Sequence, residues 1–165
     1  MKAKLIIVLA AVAMLFSACT KEKKTIKAGN NELVYHEVVY KLDGSVCYGD
    51  MGDLEDAYMI DGPQNADNGK SLFSFIADAR ISTVNHTYNI PDGLPGEGKL
   101  GFFVSAEEGS PVPGLSTLDG DFKSGTVSIT YDDEAFIFEV DAVLNDDTDF
   151  SVKIYQEKST LGNCW

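Results

Sequence analysis

The last third of the chain alternates apolar and polar residues with a period of two. In residues 126–131, Val127 and Ile129 alternate with three hydroxyl residues. Residues 136–144 and 150–154 continue the alternation after turns rich in aspartate. This pattern is typical of antiparallel strands with one buried face, so a three-stranded meander is predicted. Its predicted core residues are Val127, Ile129, Tyr131, Phe136, Phe138, Val140, Ala142, Leu144, Phe150, Val152 and Ile154.

A second strand-rich region begins at Glu32. Residues 32–42 and 45–48 are rich in β-branched and aromatic residues, and Asp43-Gly44 lies between them. Asp-Gly suits a two-residue type I′ turn, because both of its central positions need a positive φ. The sequence therefore predicts a hairpin that turns at Asp43-Gly44.

Shorter strand candidates fill the middle of the chain, at residues 57–60, 72–78, 86–90 and 99–105. Residues 71–80 also fit a helix, but Phe73, Phe75 and Ala77 alternate as in a strand covered on both faces. About eight short strands with glycine- and proline-rich links predict an all-β fold, an antiparallel β-sandwich, with a small β-barrel as the alternative.

The N-terminus has the pattern of an export signal. Lys2 and Lys4 precede an apolar run at residues 5–15, which is shorter than the roughly 20 residues of a membrane-spanning helix. Small residues then lead to Cys19, an ending that resembles a bacterial lipobox. This resemblance implies cleavage before Cys19 and acylation of that cysteine, and two or three acyl chains anchor a protein stably. The alternative is an ordinary signal cleaved after Ala18.

The remaining chain divides into a tether and one domain. Residues 19–31 are polar, carry four lysines against one glutamate, and are predicted to be flexible. Residues 32–165 form a single predicted domain with seven basic and 25 acidic residues. Such an acidic domain repels nucleic acid. The tether lysines either lie near anionic headgroups or only keep the tether soluble.

The chain resembles the small all-β lipoproteins of Bacteroidota. The resemblance depends on the lipobox, the chain length, and the segments at residues 88–93 and 123–130. It implies a β-sandwich in the cell envelope, anchored in the outer membrane, and supplies no catalytic residues. Surface-export signals in these bacteria resemble an acidic run after the cysteine, which residues 20–24 lack. We therefore expect the domain to face the periplasm.

Candidate catalytic chemistry is sparse. His36-Glu37 begins a near match to the zinc protease motif H-E-x-x-H, but the fifth residue is Tyr40 and the segment alternates as a strand. His36 is therefore interpreted as a surface histidine. No nucleophile elbow, phosphate loop or dinucleotide fingerprint occurs in the sequence. We expect no catalytic residue and no cofactor, although a carboxylate pair for glycan hydrolysis needs only two acids close in space.

Acidic clusters and aromatic residues supply the candidate binding sites. Asp50, Asp53 and Asp56 are weak calcium candidates, but turn-forming aspartates explain them better and no metal site is predicted. Candidate platforms for stacking a sugar or a peptide are Tyr58, Tyr88 and Trp165. Burial in the core explains these rings at least as well.

Cys47 and Cys164 remain as a pair once Cys19 is acylated. The envelope permits disulfides, so a bridge between them is predicted. It would close a loop of more than a hundred residues, for which chain entropy predicts a stabilisation of roughly 5 kcal/mol. The alternative is a buried Cys47 and a free Cys164 near the end of the chain.

These observations predict a non-catalytic, membrane-anchored binding or structural module in the envelope. Its expected partners are the lipid bilayer, through Cys19, and a glycan or protein ligand, and its expected form is a monomer. The alternatives are a carboxylate-dependent hydrolase that acts on glycans and a pilus-type subunit.

Overall fold

A computed structural model describes residues 25–51, 54–78, 85–90, 101–131, 134–157 and 162–163. These residues form strands and connecting turns without a helix, which confirms the all-β prediction. The strands are β1 (Glu32–Tyr35), β2 (Val38–Lys41), β3 (Asp43–Met51), β4 (Leu54–Asp61), β5 (Phe73–Asp78), β6 (His86–Ile90), β7 (Phe102–Ala106), β8 (Leu115–Ser116), β9 (Phe122–Tyr131), β10 (Ala135–Leu144), β11 (Asp149–Glu157) and β12 (Gly162–Asn163). Within the described ranges, no helix is long and apolar enough to cross a membrane.

The strands form two sheets that pack face to face. The first sheet has the order β2-β1-β11-β10-β9-β6, and the second has the order β12-β3-β4-β5-β7-β8. Neighbouring strands run antiparallel, except that β12 runs parallel to β3. Neither sheet closes on itself among the described strands. The predicted sandwich is therefore confirmed, and the alternative of a barrel is wrong.

Aromatic rings from both sheets fill the core. The ring centroids of Phe75 on β5 and Phe138 on β10 lie 5.5 Å apart. Phe102 on β7 stacks on Phe150 of β11 at 6.4 Å. All four rings are fully buried. Offset and edge contacts of this kind stabilise the packing beyond the area that they bury.

The C-terminal meander agrees with its prediction. The strands β9, β10 and β11 pair in sequence order, and their predicted inward residues with described side chains are buried. Thr126 and Thr130 lie exposed on the opposite face. The strand at residues 72–78 is also confirmed as β5, so the helical alternative is wrong.

The N-terminal hairpin turns at a different place from the one predicted. His36 and Glu37 connect β1 to β2, with φ values of 50° and 63°, and Tyr35 pairs with Val38 across the turn. A two-residue loop with two positive φ values is characteristic of a type I′ turn. Asp43-Gly44 instead opens β3. Leu42 is buried and lies between β2 and β3 in the sequence, where the chain passes from the first sheet to the second.

The end of the predicted tether is part of the folded domain. Lys27 contacts Asp141 through an ion pair of 2.6 Å, and the backbone N–H of Ala28 donates to Ser151 Oγ at 3.0 Å. Asn31 Oδ1 accepts from the backbone N–H of Tyr155. Residues 25–31, here called the strap, thus cross the outer face of the first sheet. The strap therefore contacts the sandwich before residue 32.

Candidate functional site

The candidate site is the exposed edge of the first sheet at β2. This strand has one described neighbour, β1. Val38 and Val39 are 48% and 43% exposed, and they lie on opposite faces of the strand because successive side chains alternate. Two adjacent exposed valines on an edge strand form an apolar surface that edge strands usually avoid.

The backbone of β2 has a definite orientation toward solvent. Leu42 N–H donates to Asn31 O at 2.9 Å, next to the register pairs Leu33–Tyr40 and Tyr35–Val38. Opposite residues in an antiparallel pair alternate between hydrogen-bonded and non-hydrogen-bonded pairs. The N–H and C=O groups of Val39 and Lys41 therefore point away from β1, toward the free edge.

Acidic side chains gather where β2 begins. An open hollow of about 290 Å³ is lined by His36, Glu37, Asp147, Thr148 and Asp149. The β1–β2 turn and the β10–β11 turn meet there because Tyr35 pairs with Phe150. The hollow is polar, and its carboxylates outnumber its single histidine, so it suits a basic group.

The neighbouring Asp146 is held in its charged form. The hydroxyl and the backbone N–H of Thr148 both donate to its carboxylate, and they lower the pKa of Asp146 together with the nearby His36. A carboxylate that accepts such hydrogen bonds stays ionised at neutral pH. This end of the first sheet is therefore negatively charged.

A row of alternating charges crosses the outer face of the first sheet beside the edge. Lys41 on β2 pairs with Glu32 on β1. Glu32 lies opposite Lys153 on β11, and Lys153 pairs with Glu139 on β10 at 2.7 Å. The pKa of Glu32 lies below its usual value, mainly because of Lys41 and also because the Gly29 N–H donates to it. Lys41 ends this row at the free edge.

The stacking candidates occupy different positions. Tyr58 is 4% exposed, and its ring stacks on Phe136 inside the core. It is therefore not a surface platform, and that prediction is wrong. Tyr88 lies on β6 at the opposite edge of the first sheet, half-buried against the core, and desolvation raises its pKa. Trp165 lies outside the described residues.

The other predicted site residues are described in part or not at all. Cys19, Asp53 and Cys164 lie outside the described residues. Asp50 and Cys47 belong to β3 and Asp56 to β4, where the backbone positions are described. Among the described side chains, no group of three or more histidine, cysteine or acidic residues is arranged to hold a metal ion.

The β2 edge is the part of the site that sequence reasoning missed, although residues 32–42 contained a signal for it. Leu33-Val34 and Val38-Val39 are two apolar pairs that break a period-two alternation. They flank His36-Glu37, so each pair belongs to a separate short strand. The break predicts a turn between them, and strands of four residues on either side.

No family model, curated protein or solved structure matches the chain.

Proposed function

We propose that this protein is a non-catalytic interaction module of the cell envelope, anchored in the outer membrane by an acylated Cys19 and facing the periplasm. The observation that carries the proposal is the β2 edge, which has no second neighbour among the described strands and where exposed Val38 and Val39 adjoin outward-pointing backbone groups. An extended segment that pairs with such an edge gains main-chain hydrogen bonds and apolar contacts together.

The strap supports an anchor at the N-terminal side. Lys27 is the first residue of the strap that forms an ion pair with the sandwich, and it follows Cys19 by eight residues. Eight residues span at most about 29 Å even when fully extended. An acylated Cys19 would therefore keep the outer face of the first sheet within a short distance of the bilayer.

The carboxyls of Glu32 and Asp146 do not suit the general acid of the alternative hydrolase. A glycosidase needs one carboxyl with a raised pKa to act as the general acid. Glu32 and Asp146 have pKa values below their usual range, because cationic and hydrogen-bonding neighbours stabilise their charged forms. Both carboxyls lie beside the candidate edge, where their chemistry suits electrostatic binding.

The topology favours this module over a pilus-type subunit. A pilus subunit that exchanges a strand leaves a position in its own sheet for the strand of a neighbour. Here β1, β11, β10 and β9 are consecutive hydrogen-bonded neighbours within one chain. The described part of the first sheet thus offers an edge, and its interior positions are filled.

The anchor is tested by the Cys19→Ala variant. We expect this change to move the protein from the membrane fraction to the soluble fraction, and mass spectrometry of the wild-type N-terminus to find an acylated Cys19. An unmodified Cys19 in the membrane fraction would contradict the proposed anchor.

The edge is tested by placing a photo-crosslinking amino acid at position 39 in the membrane-bound full chain. The matched control is position 118, because Leu118 is 53% exposed and lies away from β2 in the loop after β8. We expect an adduct from position 39 and none from position 118. Equal adduct yields from the two positions would contradict a specific interaction edge.

A further inference from the structure

We infer that the occupant of the β2 edge is the β2 edge of a second copy of this chain. The two strands would pair antiparallel about a two-fold axis that passes through the Val39 pair, and join two first sheets into one continuous sheet. This inference rests on the proposed function, because membrane anchoring supplies the local concentration that a short edge needs. It replaces the monomer expected from the sequence.

The backbone orientation of β2 limits the registers that two copies can adopt. Only Val39 and Lys41 within β2 direct their N–H and C=O groups toward the free edge, as the Leu42–Asn31 hydrogen bond establishes. A symmetric antiparallel pair can therefore be centred on Val39 or Lys41 as a hydrogen-bonded pair, or on Val38 or Tyr40 as a non-hydrogen-bonded pair. Centring on Val39 lets the two Val39 residues exchange both backbone hydrogen bonds.

The side chains favour the register centred on Val39. Val39 then lies opposite the second copy's Val39, Val38 lies opposite Tyr40, and Lys41 lies opposite Glu37. The apolar pairs meet on both faces of the sheet, and each end of the contact joins opposite charges. Centring on Lys41 would instead place two lysines directly opposite each other, which is destabilising. Centring on Tyr40 would place each Val39 opposite Lys41, and centring on Val38 would place it opposite Glu37, so the apolar contact between the two Val39 side chains would be lost.

The same register extends the charged row across the junction. Within one chain the row runs from Lys41 through Glu32 and Lys153 to Glu139. Glu37 of the second copy would lie on the free side of Lys41, so positive and negative charges would continue to alternate from one copy into the next. The second Lys41 would meet the first Glu37 in the same way.

The strap gives the pair an orientation that is compatible with one membrane. A two-fold axis that relates antiparallel strands of one sheet is perpendicular to that sheet, so the outer faces of both copies point in the same direction. The straps lie on these outer faces, as the contacts of Lys27 and Ala28 with β10 and β11 show. Both acylated cysteines could therefore enter the same bilayer.

Membrane confinement compensates for the short edge. Stable interfaces between free proteins usually bury more than about 1,000 Å², which a contact between four-residue strands does not approach. Holding both copies on one surface raises their effective concentration, so that a weak contact becomes populated. We therefore expect pairing on the membrane and little pairing in dilute solution.

The test is oxidative cross-linking of the full-length Val39→Cys variant in isolated membranes. Opposite residues in a hydrogen-bonded pair have Cα atoms about 5.5 Å apart, which a disulfide can bridge. Val38→Cys is the matched control, because two copies of residue 38 would lie about 8 Å apart and beyond reach of a disulfide. We expect a covalent dimer from Val39→Cys and none from Val38→Cys or the wild-type protein.

The Glu37→Lys change provides a second readout in the Val39→Cys background. It would place two lysines at each end of the contact, so we expect the dimer yield to fall several-fold. Urea unfolding of each variant shows whether the sandwich is intact.

The outcomes separate this inference from the proposed function. A membrane-bound, folded Val39→Cys protein that stays monomeric, or equal yields from Val38→Cys, would overturn the pairing. An adduct from position 39 with a different protein would leave the interaction edge in place and remove the second copy as its occupant. If the wild-type protein is absent from the membrane fraction, the proposed anchor is contradicted, and so is the reason for pairing.

Discussion

The ring of Tyr58 on β4 lies parallel to the ring of Phe136 on β10, with their centroids 4.2 Å apart and an angle of 14° between their planes. The two strands belong to different sheets, so this stack is a direct contact between the layers of the sandwich. Both residues are buried, at 4% and 1% exposure. A tyrosine that the sequence offered as a candidate stacking platform is thus part of the core.

Removing this ring should destabilise the sandwich. We expect Tyr58→Ala to lower the free energy of unfolding by about 3–5 kcal/mol, because it leaves a cavity against Phe136. Tyr58→Phe keeps the stacked ring and should cost distinctly less. Urea unfolding followed by circular dichroism measures both changes. Equal losses for the two variants would contradict a stabilising role for the ring stack.

The parts of the fold that were predictable share one physical property. In β9 and β10 one face is buried and the other is largely exposed or half-exposed, so the period-two pattern of Val127, Ile129 and their neighbours reports burial directly. Strand β5 was predictable for a related reason. Phe73, Phe75 and Ala77 form one fully buried face, and Ile76 is buried on the other.

The parts that were not predictable depend on tertiary contacts. Glu37 is a poor residue for a positive φ, so the local sequence favoured Asp43-Gly44 as the turn. Ser151 is polar and yet only 6% exposed, because the strap covers it. The backbone N–H of Ala28 in the strap donates to Ser151 Oγ. The free edge at β2 follows from the order of strands in the sheet, which a single sequence does not specify.

Gly125 on β9 should tolerate no side chain. Its φ is +152°, and a Cβ built on it would lie 2.5 Å from the carbonyl oxygen of Asp141 and 2.6 Å from the Cα of Ala142. Backbone atoms of a paired strand cannot move aside without breaking the ladder. We expect Gly125→Ala to lower the free energy of unfolding by more than about 2 kcal/mol.

Gly114→Ala is the matched control for that change. A Cβ at Gly114 would have one contact, at 3.6 Å from the carbonyl oxygen of Val104, which is an ordinary van der Waals distance. We expect its effect to stay within about 0.5 kcal/mol. Thermal unfolding of both variants measures the two losses of stability. Similar losses at the two glycines would show that the close approach of backbone atoms to Gly125 does not cause the destabilisation.

Acid should weaken the sandwich partly through Glu32. Lys41 and the Gly29 N–H hold the pKa of this carboxyl below its usual value. A lowered pKa in the folded state contributes stability above the unfolded pKa of about 4.3, and that contribution is lost as the pH falls through the folded value. We expect the unfolding free energy to decline from about pH 5 downward.

Glu32→Gln isolates this contribution. The amide carries no titrating proton, so the variant should be less stable than wild type at pH 7 and should lose less stability between pH 5 and pH 3. Urea unfolding at a series of pH values measures both slopes. Parallel slopes for the two proteins would show that Glu32 does not contribute.

The turn at His36-Glu37 should be less stable than a standard type I′ turn. Both residues have positive φ values, which cost free energy in residues other than glycine and asparagine. We expect His36→Asn combined with Glu37→Gly to raise the free energy of unfolding by about 1 kcal/mol. Glu37→Ala is the control, since it removes the carboxylate and keeps the strain. No gain from the double change, measured by urea unfolding, would contradict strain at this turn.

Cys47 and Cys164 are expected to form a disulfide. Strand β12 pairs in parallel with β3, so that Gly162 lies opposite Cys47 and Asn163 lies opposite Tyr48. Cys164 follows Asn163 in the sequence and lies outside the described residues, so the bridge stays a prediction from the number of cysteines and the oxidising compartment. A bridge there would fasten β12, which is only two residues long, to the edge of the second sheet.

We expect the unfolded, unreduced mature protein to show no reactive thiol, because Cys19 would be acylated and the other two cysteines bridged. Cys164→Ser should expose one thiol, that of Cys47, and lower the free energy of unfolding by about 2–5 kcal/mol. Cys47→Ser should lower it by a similar amount, since either change opens the same loop. Two thiols titrated in the unreduced wild-type protein would rule the bridge out, and so would a Cys164→Ser variant as stable as wild type under oxidising conditions.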